Sequence, residues 1–420
     1  MLKIFQQRES EVRSYSRTFP TLFTTAKEAY LYDTLGKQYI DFLSGAGTVN
    51  YGHNNAAMKQ AIIDYLQADG VVHSLDMATT AKQRFLETFE SIILKPRGLD
   101  YKIQFSGPTG TNAVEAALKL ARKIKKRSNV IAFSQSFHGL SSGALSVTSN
   151  AFYRHEVFTN RLNVSFMPYD GYFGKGVNTI DYIKRFLEDN SSGVDLPAAM
   201  ILETVQADGG VNVATVSWLQ QLEQLCREFD ILLIVDDIQV GNGRSGPFFS
   251  FERASIQPDI VTLSKSIGGF GLPLSLVLIK PALDQWQPGE HTGTFRGNNL
   301  ALVTATEALH YWETDNFSES IKLKSQFLEK TLRDIQAHYP ELNAQVRGIG
   351  LIYGLDIPVP EIAQAIAREA FNQGLIIELC GAKDNVLKFL PPLVIEDEVL
   401  KAGLGIMEQS IKSAVSRLRV

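Results

Sequence analysis

Cysteine is scarce in this chain, and long apolar runs are missing. The 420 residues include only two cysteines, Cys226 and Cys380, which lie far apart and show no metal-type spacing. A disulfide framework is therefore excluded for a chain of this size, and we expect a reducing cytoplasm. The longest aliphatic runs, such as Ile231–Val235, are far too short to span a bilayer. The charged N-terminus also lacks the apolar core of a signal peptide.

An excess of positive charge is missing as well. The formal net charge is −4, from 41 Lys and Arg against 45 Asp and Glu. We therefore expect no electrostatic attraction to nucleic acid or to an anionic membrane. The densest basic stretch, Lys119–Arg127, lies on a predicted helix and is interpreted as a solvated outer face. Apolar residues make up 45% of the chain, which is ordinary for a globular enzyme with a large core.

Short apolar runs alternate with helical patterns through the middle of the chain. One intervening stretch, Trp218–Phe229, carries apolar residues at helical spacing. Continuous apolar strands joined by helices predict an α/β fold with a mostly parallel sheet that has helices on both faces. The four runs are Val130–Phe133, Ala198–Leu202, Ile231–Val235 and Ile260–Leu263.

The two ends of the chain have a different pattern. Tyr30–Phe42 contains two β-like segments around an Asp-Thr-Leu-Gly turn, which predicts a hairpin. The part after residue 301 mixes long helices with short strands such as Leu351–Asp356. We therefore predict a large domain over residues 56–300 and a smaller α+β domain formed by residues 1–55 and 301–420.

Three polar residues follow the central apolar runs, where parallel strands end. They are Glu203, Asp236 and Lys265, and ligands bind at this edge in such sheets. A lysine in an apolar setting loses hydration, which lowers its pKa and yields the neutral amine that attacks carbonyl groups. For each residue taken singly, an ordinary strand-end or turn-capping role is the alternative.

A small-residue turn, Ser106–Asn112, leads into a predicted helix. Asn112 is expected to cap that helix, with Glu115 three residues later. The free N–H groups and the positive dipole end of such a helix suit an anion such as phosphate, and the hydroxyl of Thr109 or Thr111 could add a donor. An ordinary capped helix is the alternative.

Six motifs together resemble those of the class III, ornithine-type aminotransferases, which use pyridoxal 5′-phosphate (PLP). The resemblance spans nearly the whole chain. It implies the fold type I of PLP-dependent transferases, amino acid and 2-oxo acid substrates, no metal, and a homodimer or higher homo-oligomer with shared active sites. The motifs are Ser106–Arg122, Phe137–Gly139, Glu203–Gly210, Val235–Gly246, Ser264–Lys265 and His291–Asn298.

The resemblance also implies roles for ten residues. Lys265 would form the Schiff base with the cofactor, and Asp236 would pair with the protonated ring nitrogen. At about 4 Å and an effective dielectric near 20, that ion pair is worth roughly 4 kcal/mol. Glu203 and Lys388 would bind substrate, the glutamate as a gating residue. The other implied cofactor contacts are Gly110 and Thr111 at the phosphate, Phe137 and His138 at the ring, Gln239 at the phenolic oxygen, and Thr294 at the phosphate of the other subunit.

Within that class, the chain resembles the diaminobutyrate–2-oxoglutarate transaminases, a group that includes the ectoine-pathway enzyme. This likeness implies amino transfer from L-glutamate to L-aspartate 4-semialdehyde, which gives L-2,4-diaminobutyrate and 2-oxoglutarate. It is carried by Glu9–Arg17, His73–Ala81, Lys95–Tyr101, Gly107–Thr111 and Pro168–Phe173.

Lys388 departs from the wider class, in which many ω-aminotransferases have an arginine. A lysine lacks the fork that grips a carboxylate through two bonds, so carboxylate binding must be shared or placed differently. Asp208 and Asp237 also stand where glutamates are common. The alternative functions are an ω-aminotransferase for ornithine, acetylornithine or 4-aminobutyrate, a PLP-dependent mutase or racemase, and a non-catalytic nucleotide-binding protein.

Overall fold

The computed structural model describes residues 2–155, 163–174 and 176–418. Within these ranges the chain alternates strands and helices along most of its length. The strands are β1 (Phe23–Lys27), β2 (Tyr30–Asp33), β3 (Gln38–Asp41), β4 (Lys102–Gly107), β5 (Val130–Phe133), β6 (Val164–Met167), β7 (Ala199–Leu202), β8 (Val205–Gln206), β9 (Asn212–Val213), β10 (Leu232–Asp236), β11 (Ile260–Leu263), β12 (Ser275–Ile279), β13 (Gln345–Ile349), β14 (Ile352–Asp356), β15 (Leu375–Ile376), β16 (Glu378–Cys380) and β17 (Val386–Phe389).

The helical segments range from single turns to a helix of 23 residues. They are α1 (Lys3–Arg8), α2 (Tyr15–Thr18), α3 (Ser44–Gly47), α4 (Ala56–Gln67), α5 (Thr80–Thr88), α6 (Gly110–Lys125), α7 (Ser142–Val147), α8 (Thr179–Glu188), α9 (Val216–Glu228), α10 (Asn299–Leu309), α11 (Asn316–His338), α12 (Pro360–Asn372) and α13 (Asp397–Leu418). A π-helical turn covers Phe89–Leu94, and 3-10 turns cover Lys95–Arg97, Ser250–Ala254, Lys265–Gly268, Pro281–Leu283, His310–Trp312 and Pro340–Leu342.

The central sheet has seven strands in the order β4-β12-β11-β10-β7-β5-β6. The pairs from β11 through β6 are parallel, whereas β12 runs antiparallel to both β11 and β4. Every residue of β5, β7, β10 and β11 is buried, because apolar side chains cover both faces of these strands. The mostly parallel α/β sheet predicted from the apolar runs is thereby confirmed.

Both ends of the chain meet in a separate four-stranded sheet of order β1-β2-β3-β15. Strands β2 and β3 form the predicted hairpin, and β15 from the C-terminal part pairs in parallel with β3, Leu375 opposite Ile40. A third sheet, in the order β13-β14-β17-β16, is made entirely from the C-terminal part. The domain division at residues 55 and 300 stays a prediction.

The described ranges lack two kinds of feature, a membrane-spanning helix and a cluster of metal ligands. No helix there has both the length and the apolar character needed to cross a membrane. The same residues contain no group of three or more His, Cys, Asp or Glu side chains placed to hold a metal ion.

Candidate active site

Glu203, Asp236 and Lys265 lie at one edge of the central sheet. Asp236 is the last residue of β10, while Glu203 and Lys265 follow β7 and β11 closely in sequence. Since β10 pairs in parallel with both β7 and β11, the three side chains leave neighbouring strands at the same end. This edge is where an open α/β sheet presents its ligand site.

Lys265 begins a 3-10 turn and has a left-handed backbone, with a φ of 53°. Its Nζ donates a hydrogen bond of 2.9 Å to the carbonyl oxygen of Ala46. Burial lowers the pKa of Lys265, and the nearby carboxylate of Asp208 opposes that shift. The lysine is therefore biased toward the neutral amine, the form that acts as a nucleophile or a base.

The carboxylate of Asp236 is buried and fixed by three donors. Its Oδ2 lies 2.7 Å from Nδ1 of His138, and its Oδ1 accepts from the hydroxyl of Thr262 at 3.0 Å and from the backbone N–H of Ile238 at 3.2 Å. Since an ionised carboxylate only accepts, the His138 proton is assigned to Nδ1. The opposite ring nitrogen, Nε2, is buried and has no hydrogen-bond partner among the described residues.

Helix α6 begins three residues earlier than expected. The prediction that Asn112 caps it is wrong: Thr109 is the N-cap, and Asn112 is the third helical residue. Thr109 is extended (φ −129°, ψ 158°), and the side chain of Asn112 reaches back to accept from its backbone N–H at 3.2 Å. This capping box stabilises a helix that starts after Thr109 over one that starts after Asn112. It places Gly110 and Thr111 in the first turn, where N–H groups are free of helical partners.

Gly110 and Gly139 make close approaches that a side chain would prevent. A Cβ on Gly110 would lie 2.9 Å from Cδ1 of Ile238, and one on Gly139 would lie 2.7 Å from Oγ1 of Thr111. Both glycines line a cavity of about 200 Å³. Its other lining residues are Thr111, Phe137, His138, Glu203, Asp208, Asp236, Ile238, Gln239, Val240 and Lys265.

A second cavity, of about 740 Å³, adjoins the first. The two share four lining residues, so they form one continuous space with Lys265 at the junction. The shared residues are Phe137, Asp208, Gln239 and Lys265. The outer space is also lined by Tyr15, Ala46, Tyr153, Arg154, Glu378 and Asp384, among others.

Lys388 is fully buried between two carboxylates. Its Nζ lies 2.5 Å from Oδ1 of Asp208 and 2.9 Å from Oε2 of Glu378, and it also donates to Oε1 of Gln239 at 3.3 Å. Burial alone would lower the pKa of Lys388, but the two carboxylates raise it well above its usual value. Lys388 is therefore a charged lysine whose charge is already balanced.

Glu203 is buried, and its carboxylate hydrogen-bonds to the backbone of Phe137 rather than to Lys388. Its Oε2 accepts the backbone N–H of Phe137 at 2.9 Å. Burial, reinforced by the charge of Asp236, raises the pKa of Glu203 well above its usual value. Thr294 lies in an exposed stretch before α10, and it is absent from the linings of both cavities in this single chain, as far as the described residues go.

Several residues at the site could not be predicted from the sequence motifs. Ala46 contributes only its carbonyl oxygen, which no side-chain motif reveals. Glu378 faces Lys388 across the β16–β17 pair, and this pairing depends on strand register. Tyr15 lies in the Glu9–Arg17 segment that carries the likeness to the diaminobutyrate transaminases. That likeness is the sequence feature that could have pointed to Tyr15 as a site residue.

Comparisons with known proteins identify the family of this chain. The family model for class III aminotransferases matches residues 12–411. A diaminobutyrate–2-oxoglutarate transaminase from Wolinella succinogenes is 62% identical over 410 residues, covering 98% of this chain and 96% of that protein. The protein of the same name from Bordetella parapertussis is 58% identical over 417 residues, covering 99% and 96%.

Solved structures share the fold. The S-selective transaminase from Bacillus megaterium superposes with a TM-score of 0.88 at 22% identity, covering 99% of this chain and 98% of that one. The ornithine aminotransferase from Toxoplasma gondii ME49 has a TM-score of 0.84 at 25% identity, covering 98% and 94%. With a family model that matches almost its whole length, the chain belongs to the class III aminotransferases.

Proposed function

We propose that this chain catalyses the reversible, PLP-dependent transfer of an amino group from L-glutamate to L-aspartate 4-semialdehyde, giving L-2,4-diaminobutyrate and 2-oxoglutarate. The observation that carries the reaction type is the buried Lys265 amine in a cavity that also holds the Asp236 carboxylate. The substrate follows from the relatives named above, which match nearly the full chain at 58–62% identity. The alternative aminotransferase, mutase and racemase activities are not favoured.

The residues of the inner cavity fit PLP. The first turn of α6, with Gly110 and Thr111, offers backbone donors and a positive dipole end to a phosphate. The Asp236 carboxylate suits a protonated pyridine nitrogen, and Phe137 supplies an aromatic wall for a flat ring. Two glycines, Gly110 and Gly139, let the lining side chains of Ile238 and Thr111 approach more closely than a Cβ would allow. Gln239 is proposed to reach the phenolic oxygen.

When bound, PLP supplies an electrophilic carbon and an electron sink for the electrons left at the substrate carbon. Lys265 provides the amine: burial favours its neutral form, so it can take the proton from the reacting substrate carbon as a base and, as the ammonium so formed, give it back as an acid. Asp236, held by His138 and Thr262, keeps a negative charge fixed at the inner end of the cavity. His138 thereby orients Asp236 rather than touching the reacting atoms.

The outer cavity is proposed to hold the rest of the substrate. Diaminobutyrate and glutamate both carry an α-carboxylate and an α-amino group, so this space must accept charges of both signs. Lys388 is fully buried and is not among the described residues that line either cavity, so it is proposed to act on the substrate through Asp208 and Glu378, which line the outer cavity. Arg154, whose guanidinium stacks on Phe166 with 4.5 Å between Cζ and the ring centroid, brings a positive charge to the same wall. Glu203, whose carboxylate lies beside Phe137, is proposed to be the gating residue of the substrate site.

A homodimer with shared sites is part of the proposal. Thr294, exposed in this chain, is proposed to reach the phosphate site of a second copy. Mixing of two inactive variants tests it. A Lys265→Ala chain combined with a Thr294→Ala chain should regain some activity through hybrid dimers, whereas no recovery would contradict shared sites.

One assay decides the substrate. Purified protein with PLP and 2-oxoglutarate is given L-2,4-diaminobutyrate, L-ornithine or 4-aminobutyrate in parallel, and glutamate formation is measured. We expect the highest kcat/KM with diaminobutyrate and no turnover by Lys265→Ala. A higher kcat/KM with ornithine or 4-aminobutyrate would overturn the substrate, and appreciable turnover by Lys265→Ala would overturn the mechanism.

A further inference from the structure

We infer that the left-handed turn Ser44–Gly47, the segment labelled α3 above, positions Lys265. The turn presents the carbonyl oxygen of Ala46, and this oxygen accepts a hydrogen bond from the lysine nitrogen whenever that nitrogen is not covalently engaged. The inference rests on the proposed function, in which Lys265 is the reacting lysine. It concerns how that lysine is held between chemical steps.

The backbone of this turn is unusual. Four consecutive residues have positive φ values: 50° at Ser44, 57° at Gly45, 56° at Ala46 and 82° at Gly47. Left-handed residues normally occur singly, because a Cβ crowds the following carbonyl in this conformation. Two of the four carry a Cβ, so the surrounding structure must impose the conformation. Strained backbone that is held in this way is concentrated at functional sites.

Specific contacts hold the turn in place. Oδ1 of buried Asp41 accepts the backbone N–H groups of Leu43 and Ser44, both at 2.8 Å. Its Oδ2 lies 2.7 Å from Nε2 of His53. The hydroxyl of Ser44 donates to the carbonyl of Leu390 at 2.6 Å. The turn is therefore fastened at its start to β3 and to the C-terminal part of the chain.

The turn directs one carbonyl group, that of Ala46, toward Lys265, and Ala46 lines the outer cavity. The oxygen of Ala46 accepts from Nζ of Lys265 at 2.9 Å and from Nε2 of Gln239 at 3.2 Å. The other end of the Gln239 amide accepts from Lys388 at 3.3 Å. Two elements of the active site thus converge on one backbone oxygen.

A carbonyl oxygen at this point has a chemical consequence. It accepts more strongly from an ammonium than from an amine, so it favours the protonated form of Lys265 and counters the effect of burial. It also fixes the direction from which the nitrogen returns to the reacting carbon. Other charged groups act on Lys265 and stay unchanged in the test below: Asp208, Lys388, Glu378, Asp236 and Glu203.

The test replaces the two glycines of the turn. A Cβ on Gly45 or Gly47 meets only ordinary contacts, at 3.5 Å and 3.6 Å, so a Gly45→Ala/Gly47→Ala chain changes backbone preference rather than packing. The matched control is Gly98→Ala, an exposed left-handed glycine (φ 61°) with open space around it, in the 95–101 segment outside both cavity linings.

The measurement uses holoenzyme treated with excess diaminobutyrate and no 2-oxoglutarate, which leaves Lys265 free. Acetylation of Lys265 by acetic anhydride is followed across pH by mass spectrometry. We expect the double variant to lower the labelling pKa by about half a unit or more. We also expect kcat to fall about tenfold, with a smaller change in KM. Gly98→Ala should match the wild type.

A labelling pKa equal to that of the wild type in a folded double variant would overturn the inference alone. Failure of the wild type to be converted by diaminobutyrate would instead overturn the proposed function and this inference with it. If the double variant does not fold, the single variant Gly45→Ala serves, because it disfavours the left-handed backbone at one position and its Cβ meets Thr48 only at an ordinary 3.5 Å. It should shift the pKa in the same direction, and no shift would be equally decisive.

Discussion

Glu378 and Lys388 stand directly opposite each other on the adjacent antiparallel strands β16 and β17. The carboxylate Oε2 lies 2.9 Å from the lysine Nζ, and the other oxygen accepts the hydroxyl of Tyr15 at 2.5 Å. Asp208 approaches the same Nζ from the end of the β8 segment. A buried cation is thus shared by two carboxylates, one of which is linked to the N-terminal helix α2.

Lys388→Met should destabilise the protein strongly. It leaves the carboxylates of Asp208 and Glu378 together without a cation, and breaking a buried pair in this way costs about 3 kcal/mol in the free energy of unfolding. Urea unfolding at pH 7 measures the loss. Lys401→Met, which removes an exposed lysine paired with Glu398, is the control and should change nothing measurable. Equal stability of the two variants would contradict the buried cluster.

Tyr15→Phe should weaken substrate use. It removes the hydroxyl that donates to Glu378 while keeping the ring, and a hydrogen bond to a charged group contributes about 1.5 kcal/mol. We expect kcat/KM for diaminobutyrate to fall roughly tenfold. Tyr182→Phe, on the exposed face of α8, provides the comparison. If both variants kept the wild-type kcat/KM, the link from α2 to the site would have no role in the reaction.

Asp237→Asn should change how stability depends on pH. Burial raises the pKa of Asp237 to about 7, above its unfolded value of about 4. Between about pH 4 and about pH 7 the folded state therefore binds one more proton than the unfolded state. The stability that this proton contributes is fully present below about pH 4 and is lost as the pH rises through about 7. From pH 5 to pH 8 the wild type should lose roughly 2–3 kcal/mol relative to the variant.

That difference is measured from unfolding at several pH values and one protein concentration. Asp181→Asn, at an exposed position of α8, is the control and should track the wild type. A stability difference between wild type and Asp237→Asn that does not vary with pH would show that Asp237 is ionised throughout.

Asp236→Asn should nearly abolish turnover while leaving the fold intact. The variant keeps the shape and a hydrogen-bonding oxygen but removes the charge, which is worth roughly 4 kcal/mol to a cationic partner at about 4 Å. We expect kcat to fall about a thousandfold. Turnover and bound PLP absorbance are both measured, with Asp181→Asn again as the comparison. Activity within tenfold of the wild type would contradict the proposed role.

The central sheet and its site edge follow from local sequence. The apolar runs ending near Glu203, Asp236 and Lys265 are buried on both faces, so their identity as parallel strands is encoded within a few residues. The cap of α6 was misplaced because both Thr109 and Asn112 are good capping residues. The reciprocal bonds between them decide the start, and these exist only once the helix has formed.

The cluster around Lys388 could not be predicted in the same way. Its partners Asp208 and Glu378 come from separate segments; Asp208 lies in the Glu203–Gly210 motif, but nothing in the sequence places either carboxylate beside Lys388. Their meeting depends on the register of β16 against β17 and on the packing of the third sheet. The carbonyl of Ala46 was equally hidden, because a backbone atom becomes functional only through its conformation.

The parallel pairing of β15 with β3 sets an order of events during synthesis. Ile40 pairs with Leu375, so β3, the strand that leads into the Ser44–Gly47 turn, has β2 on one side at once but gains its second neighbour only 335 residues later. Domains form as units while the chain emerges, and the central sheet has all its strands by residue 279. A nascent chain can therefore contain Lys265 and Asp236 long before its binding site is complete, because that site is completed only when the segment from Leu375 onward has been made.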